Sequence, residues 1–367
     1  MWVDLSASSS GTCGRAAGLS TLGPASTTLR ASTVLEISDY SPALSDECVA
    51  LERVCPQGER FRLSFRRPTF HARAATYERW GLVVGREGGR LVATCAYALR
   101  PAILHGETRT TAFGFDLRVH PDLRQRGIAG RMTRAVIERA TPQGADLFYT
   151  QVVGDNRAMF GVCRSLRMTL AGGYRTLVWP VFRRRGARAA PETTPAQIHD
   201  AYVRAEGPFD FHPIPGPAPA GHVVSLTTGA AGCSLWSNEA LLAEVVERVP
   251  PAYRAARLAL AAPPLRWLPL PRVPAPGEAL RSWFVYDLHA ADGHAARALL
   301  EHVNDRALAS GIGYCYVVVS GEPSWWPELR AAAPPLLSPI IPYSLLMTDL
   351  RGPLRVPARM CVDARDL

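Results

Sequence analysis

The stretch Val119-His-Pro-Asp-Leu-Arg-Gln-Arg-Gly-Ile-Ala-Gly-Arg131 decides the reading of this chain. An apolar run, Phe113 to Val119, enters it as a strand, and Pro121 ends that strand. Beyond it Ile128, Met132 and Val136 recur four apart, so Ala129 to Ala140 is a helix. The turn between them holds Gly127 and Gly130. A diphosphate needs several backbone N–H groups converging on one spot, together with the positive end of a helix dipole. A strand, a tight glycine loop and a helix N-terminus supply both. Gly127, Ala129 and Gly130 keep side chains out of the cradle, and Gln125 and Ile128 belong to the same loop. Arg124, Arg126 and Arg131 stand at its rim as charge-assisted donors. No Gly-Lys-Ser/Thr follows, so this is not a Walker loop, and it does not fit the dinucleotide GxGxxG spacing.

Outward from this loop the chain alternates strands and helices. Thr33 to Ser38 reads as a strand and Leu44 to Val54 as a helix; Gly58 to Arg79 is arginine-rich and ambiguous. Gly81 to Gly85 and Leu91 to Ala98 are strands joined at Gly88-Gly89. After the helix come a strand, Asp146 to Val152, a helix, Asn156 to Leu166, and a strand, Leu170 to Pro180. This order predicts an α/β (α+β) layer structure with a mixed, twisted sheet. Arg183 to Pro195 reads as a linker, and the proline-dense stretches Pro213 to Pro219 and Pro263 to Pro276 as loops. The two halves share a plan. Ser282-Trp-Phe-Val-Tyr-Asp-Leu-His289 echoes Gly114-Phe-Asp-Leu-Arg-Val119, and each is followed by a loop, an amphipathic helix and a glycine that opens a strand. In the second half the loop Ala290-Ala-Asp-Gly-His294 lacks the Arg-x-x-Gly-x-Ala spacing of Arg124 to Ala129, so that copy is expected to have lost the diphosphate site. His289 and His294 have no partner that the sequence assigns, and read as surface or capping residues.

Composition narrows the function. The length of 367 residues and the 47% apolar content suit two packed domains. No apolar run reaches the roughly 18 residues of a membrane span, so no membrane role is expected. All 41 basic residues are arginine, giving a net charge of +9 that suits an anionic ligand or else reflects GC-rich coding bias. No basic stripe interleaves with aromatics, which argues against nucleic acid. The eight cysteines form no CxxC pair and no zinc spacing, so no metal is expected and a reducing, cytosol-like compartment fits. Residues 1–32 read as a disordered leader or an organellar transit peptide.

The loop resembles the acetyl-CoA pyrophosphate loop of the GNAT N-acetyltransferases, Arg/Gln-x-x-Gly-x-Gly/Ala after a strand. Leu117-Arg-Val-His-Pro121, Arg126-Gly-Ile128, Gly154-Asp-Asn156, Leu177-Val-Trp-Pro-Val-Phe182 and the tail Cys361-Val-Asp-Ala-Arg-Asp-Leu367 are most similar to Hookless-like N-acetyltransferases. The resemblance implies a GNAT domain over 33–185, a linker over 186–197 and a second, degenerate GNAT-like domain over 198–367. It implies acetyl-CoA as co-substrate, with a small-molecule, peptide or protein amine as acceptor. The contacts to CoA would be Leu117, Arg118 and Val119 through a β-bulge, Arg124 to Arg131 through the loop, and Asn156 near the pantetheine. The alternative is a non-catalytic regulator that keeps the fold and acyl-CoA binding.

Acyl transfer to an amine needs a deprotonated nucleophile, a polarised thioester carbonyl and a proton for the thiolate. GNAT enzymes often use a tyrosine as that acid, and the matching position here is Cys163. A thiol of pKa about 8.5 can donate a proton. Yet Met159, Val162, Cys163 and Leu166 form an apolar stripe, which also suits core packing. Asp116, between Phe115 and Leu117, is the candidate base if its apolar neighbours raise its pKa, or else a solvent-facing or structural carboxylate. Tyr149 is a candidate acid or acceptor-lining residue.

Overall fold

The computed structural model describes residues 34–58, 61–154, 156–214, 220–263, 273–334 and 337–366. The leader, Thr33, Asp155, Leu367 and much of both proline-dense stretches therefore lie outside the described residues. The first half contains β1 (Glu36–Asp39), α1 (Ser45–Arg53), β2 (Arg62–Arg66), β3 (Arg79–Glu87), β4 (Arg90–Leu104) and β5 (Glu107–Val119). It continues with α2 (Ile128–Ala140), β6 (Leu147–Val153), α3 (Arg157–Ser165) and β7 (Thr169–Pro180). The second half adds β8 (Glu192–Thr193), α4 (Pro195–Glu206), β9 (Phe211–Pro213), β10 (His222–Thr227), β11 (Ala231–Trp236), β12 (Ala243–Arg248) and α5 (Pro251–Ala261). It ends with β13 (Ser282–Ala290), α6 (Gly293–Ala309), β14 (Tyr314–Ser320), α7 (Trp326–Ala332) and β15 (Ile340–Asp349).

One mixed sheet of 13 strands runs through both halves in the order β1-β3-β4-β5-β6-β15-β7-β14-β13-β11-β10-β8, with β9 on the edge of β4. The halves exchange strands at its centre. β15, from the end of the chain, lies between β6 and β7, and β7 in turn pairs with β14. β2 and β12 form a separate two-stranded ribbon, again one strand from each half. The ambiguous arginine-rich segment thus holds a strand whose partner lies in the other half. Residues 183–195 are largely without regular structure up to the Thr194 capping box that opens α4.

The repeated plan is visible in the strands. β5 pairs in parallel with β6 from Thr111 to Gly114, and β13 pairs in parallel with β14 from Ser282 to Val285. Past those residues each pair parts. Each leading strand then carries a bulge at an aspartate of left-handed backbone, Asp116 (φ 49°) and Asp287 (φ 51°). The bulges face Cys95 on β4 and Cys233 on β11, where the cross-strand register shifts. Aspartate is among the few residues with a side chain that tolerate this conformation.

Alternation along β15 sorts the core into two faces. Leu346 packs with Met132 of α2 and Cys163 of α3, and Ile340 packs against the cluster of α6. On the opposite face, Leu345 and Met347 join Phe113 and Tyr149, and Ile341 joins Phe284 and Tyr316. Helices α2 and α6 therefore cover one face. α1, the ribbon and the chain's tail lie against the other. Among the described residues no helix is long and apolar enough to cross a membrane.

Candidate functional site

The geometry that matters lies where β5 and β6 part. Beyond Gly114 and Thr150 the two strands no longer pair, yet β5 continues to Val119 against β4 and β6 to Val153 against β15. The sheet therefore opens a notch beside Leu117, Arg118 and Val119, with main chain along its lip. A short 3-10 turn, Pro121–Leu123, follows, and the chain enters α2 through Gln125 (φ 64°) and Gly127 (φ 74°). His120 braces this turn, accepting from the Asp122 amide at 3.4 Å and contacting Arg90 at 2.7 Å.

The first turn of α2 begins with Arg131 N–H bonding Gly127 O at 3.2 Å, so the amides of Ile128, Ala129 and Gly130 point off the helix end. A Cβ added at Gly127 would meet nothing, so glycine is required there by its backbone angle and not by crowding. At Gly130 a Cβ would come only within 3.6 Å of Ser165 Oγ. Open space over convergent amides fits a diphosphate. The arginine rim is thinner than the sequence implies. Arg126 turns to Glu87, at 2.7 and 3.1 Å, and Arg131 donates to the Leu35 carbonyl at 2.9 Å. Arg124 stays over the loop, its Nε 3.4 Å from Val119 O. Asn156 caps α3, accepting from Met159 N at 3.1 Å.

Two of the three catalytic candidates, Asp116 and Tyr149, sit in surroundings that the sequence did not foretell. Asp116 faces guanidinium groups and not an apolar wall: Arg67 lies 2.8 Å from it, Arg118 3.8 Å and Arg73 3.9 Å. Arg67 also forks onto Glu52. Burial alone would raise the Asp116 pKa, but these cations outweigh it and hold the carboxyl well below the ordinary value. The expected raised pKa is thereby corrected. Cys163 is fully buried among Met132, Val136 and Met168, and burial pushes its thiol up to about 11. Tyr149 is equally buried. Its hydroxyl donates to Asp366 at 2.9 Å and accepts from Arg100 at 3.0 Å, so it anchors the tail and does not line an open surface.

That tail is the part of the site that local sequence pattern missed. Asp363 takes a hydrogen bond from Arg100 at 2.8 Å, and Asp366 takes one from Tyr77 at 3.1 Å. Arg73 donates to the Arg365 carbonyl at 3.1 Å. Burial raises the Asp366 pKa, while Arg100 and Arg365 hold Asp363 low against its burial. The tail segment's likeness to family endings was the one signal available. Beside it, Tyr174 stacks on Tyr343 at 4.8 Å, and the Tyr174 hydroxyl donates to Gln151, the first β6 residue past the parting point.

The second half repeats the parting of strands. Trp325 is wholly buried beside Leu288, Val319 and Leu329. At Gly293, the first residue of α6, a Cβ would lie 2.2 Å from Glu328 Oε2, so the Glu328 side chain packs against this end of the helix, where α2 has open space at Gly127. Asp292 caps the same helix, accepting from Ala295 N at 2.8 Å.

Residues 46–166 match the model of the acetyltransferase (GNAT) family. The chain has the GNAT acyltransferase fold. Its two-half arrangement is similar to N-myristoyltransferase of Saccharomyces cerevisiae with bound myristoyl-CoA, at a TM-score of 0.57 and 10% identity, covering 88% of this chain and 81% of that one. It is also similar to the glucosamine N-acetyltransferase region of a fungal multi-domain beta-N-acetylglucosaminidase, at a TM-score of 0.51 and 12% identity, covering 87% of this chain and 38% of that one. No curated protein matches the sequence. Among the described residues, no three His, Cys, Asp or Glu side chains converge as a metal site.

Proposed function

We propose that this GNAT protein moves an acyl group, acetyl in the first instance, from acyl-CoA to an amine. The parting of β5 and β6 beside an open α2 N-terminus carries this reading, because its counterpart in the second half lacks the Arg-x-x-Gly-x-Ala spacing and has the Glu328 side chain against Gly293. The amides of Ile128 to Gly130, with Arg124, would hold the diphosphate. The open main chain of Leu117 to Val119 would run along the pantetheine. CoA supplies the activated thioester. The amine nitrogen attacks the acyl carbon, the C–S bond breaks, and the thiolate leaves and takes up a proton.

The chain's own contribution is chiefly placement. Cys163 and Tyr149 are buried and Asp116 is ion-paired, so the amine proton leaves to solvent in this account. The acceptor would approach on the face of Gln151, Tyr174 and the tail. The likeness to Hookless-like proteins rests on the quoted segments alone and names no acceptor. Among the described residues, seven free, buried cysteines from Cys48 to Cys361 support a reducing compartment.

The test is CoA-thiol release from acetyl-CoA and longer acyl-CoAs with a panel of primary amines. Release that depends on the amine and is fastest with acetyl-CoA supports the reading. Acyl-CoA binding without release by any amine would favour the regulatory alternative.

A further inference from the structure

Helix α3 ends in a bend that glycine ordinarily makes, and this chain places an arginine there. Met168 N–H donates to the Cys163 carbonyl and Arg167 N–H to the Arg164 carbonyl, both at 3.0 Å, with Leu166 as the cap. Met168 also packs with Cys163. This is the helix ending in which the residue after the cap takes left-handed backbone, usually as glycine. Here that residue is Arg167, at φ 55°, where a side chain is strained. The bend adjoins the diphosphate cradle. Ser165 Oγ lies 3.6 Å from where a Cβ on Gly130 would be, so the end of α3 packs on the first turn of α2. Arg167 is two residues farther on, its Cα within about 7 Å of that of Ser165. Arg134 approaches from the other helix. It is one turn beyond Gly130 on the same face of α2, where Cα–Cβ bonds tilt back toward the N-terminus. Both arginines are exposed, and neither makes a side-chain hydrogen bond or ion pair among the described residues. The loop's own Arg126 and Arg131 are committed, to Glu87 and to the Leu35 carbonyl.

We infer that Arg167 and Arg134 bind the phosphate carried on the ribose of CoA, so that the protein selects CoA over dephospho-CoA. This rests on the acyl-transfer reading. With the diphosphate over the amides of Ile128 to Gly130, the ribose phosphate is one sugar ring away. The seam of α2 and α3 at Gly130 and Ser165 borders that position, and guanidinium forks match a phosphate dianion. A phosphate ligand also accounts for the strain at Arg167, since glycine would relieve the bend but carry no charge. An arginine that only offset the carbonyl end of α3 would be indifferent to the nucleotide bound.

The experiment is calorimetric titration of acetyl-CoA and acetyl-dephospho-CoA into the full chain, for wild type, Arg167→Gly and Arg134→Gln, with thermal melts of all three. Wild type should bind acetyl-CoA about tenfold or more tightly than its dephospho form. Arg167→Gly should remove most of that preference by weakening acetyl-CoA alone. It should also melt at least as high as wild type, because glycine suits the bend, so the weakened binding cannot be a loss of fold. Arg134→Gln, which leaves the bend untouched, should reduce the preference by a few fold. Equal affinity of wild type for the two thioesters, or a preference that survives Arg167→Gly, would overturn the inference. Failure of folded wild type to bind either thioester would instead overturn the acyl-transfer reading beneath it.

Discussion

Asp116 occupies a position where a strained backbone and a full set of cationic partners support each other. Replacing it with Asn leaves Arg67 and Arg118 under-compensated in the interior. Loss of one partner of a buried pair costs on the order of 3–5 kcal/mol, so Asp116→Asn should lower denaturant stability by that order. A catalytic base would lose turnover with stability unchanged. The pH dependence has a definite sign. Asp116 and Asp363 are held below their ordinary value of 3.8 in the folded state, so their stabilisation is complete above that value and is lost as pH falls through their folded values. Acid titration of unfolding should show this loss reduced in Asp116→Asn. Cys163→Ala should cost about 1–2 kcal/mol through a small cavity and leave kcat unchanged. The stripe of Met159, Val162, Cys163 and Leu166 was readable from spacing, and it correctly raised the packing role. The Asp116 environment was not readable, because Arg67 and Glu52 lie 49 and 64 positions away, on other elements.

At the scale of elements, most of the first half was legible. The helix periodicity of Ile128, Met132 and Val136 and the glycines of the loop place α2 to within a residue. Beyond residue 185 the elements were harder to see, because proline-rich connections interrupt the pattern and α4, β10 and β11 went unassigned. The bulge pair shows what such elements do. His199 on α4 meets Asp287 on β13 at 2.9 Å. Burial pushes the His199 pKa down, but the hydrogen bond and charge of Asp287 overcome that and hold it above 6.5. A raised histidine contributes stability that is full below its unfolded value and is lost as pH rises through its folded value. Thermal melts should therefore show the second half loosening as pH climbs above 6.5, and Asp287→Asn should remove that slope. A slope unchanged in Asp287→Asn would contradict the assignment.

For the whole molecule, the repeated plan was visible in Tyr286-Asp-Leu and Phe115-Asp-Leu, but the exchange of strands was not. No local pattern reveals that β15 pairs with β6, whose partner residues lie 190 to 202 positions earlier. The exchange means that neither half closes its own sheet. Residues 34–185 expressed alone should aggregate, since the slot between β6 and β7 would expose strand edges. Co-expression with residues 186–367 should restore a soluble complex, measured by size-exclusion chromatography. A soluble, monomeric first half would contradict the exchange. The second half lacks the Arg-x-x-Gly-x-Ala spacing and has Glu328 against Gly293, which leaves a single donor site in this account, at the loop that began the reading. Isothermal titration of acetyl-CoA against wild type and Gly127→Glu, with thermal melts confirming both folded, tests that site most directly. The account predicts a Kd on the order of micromolar for wild type and no measurable binding for the variant. Equal binding by the two proteins, or none by a folded wild type, would contradict it.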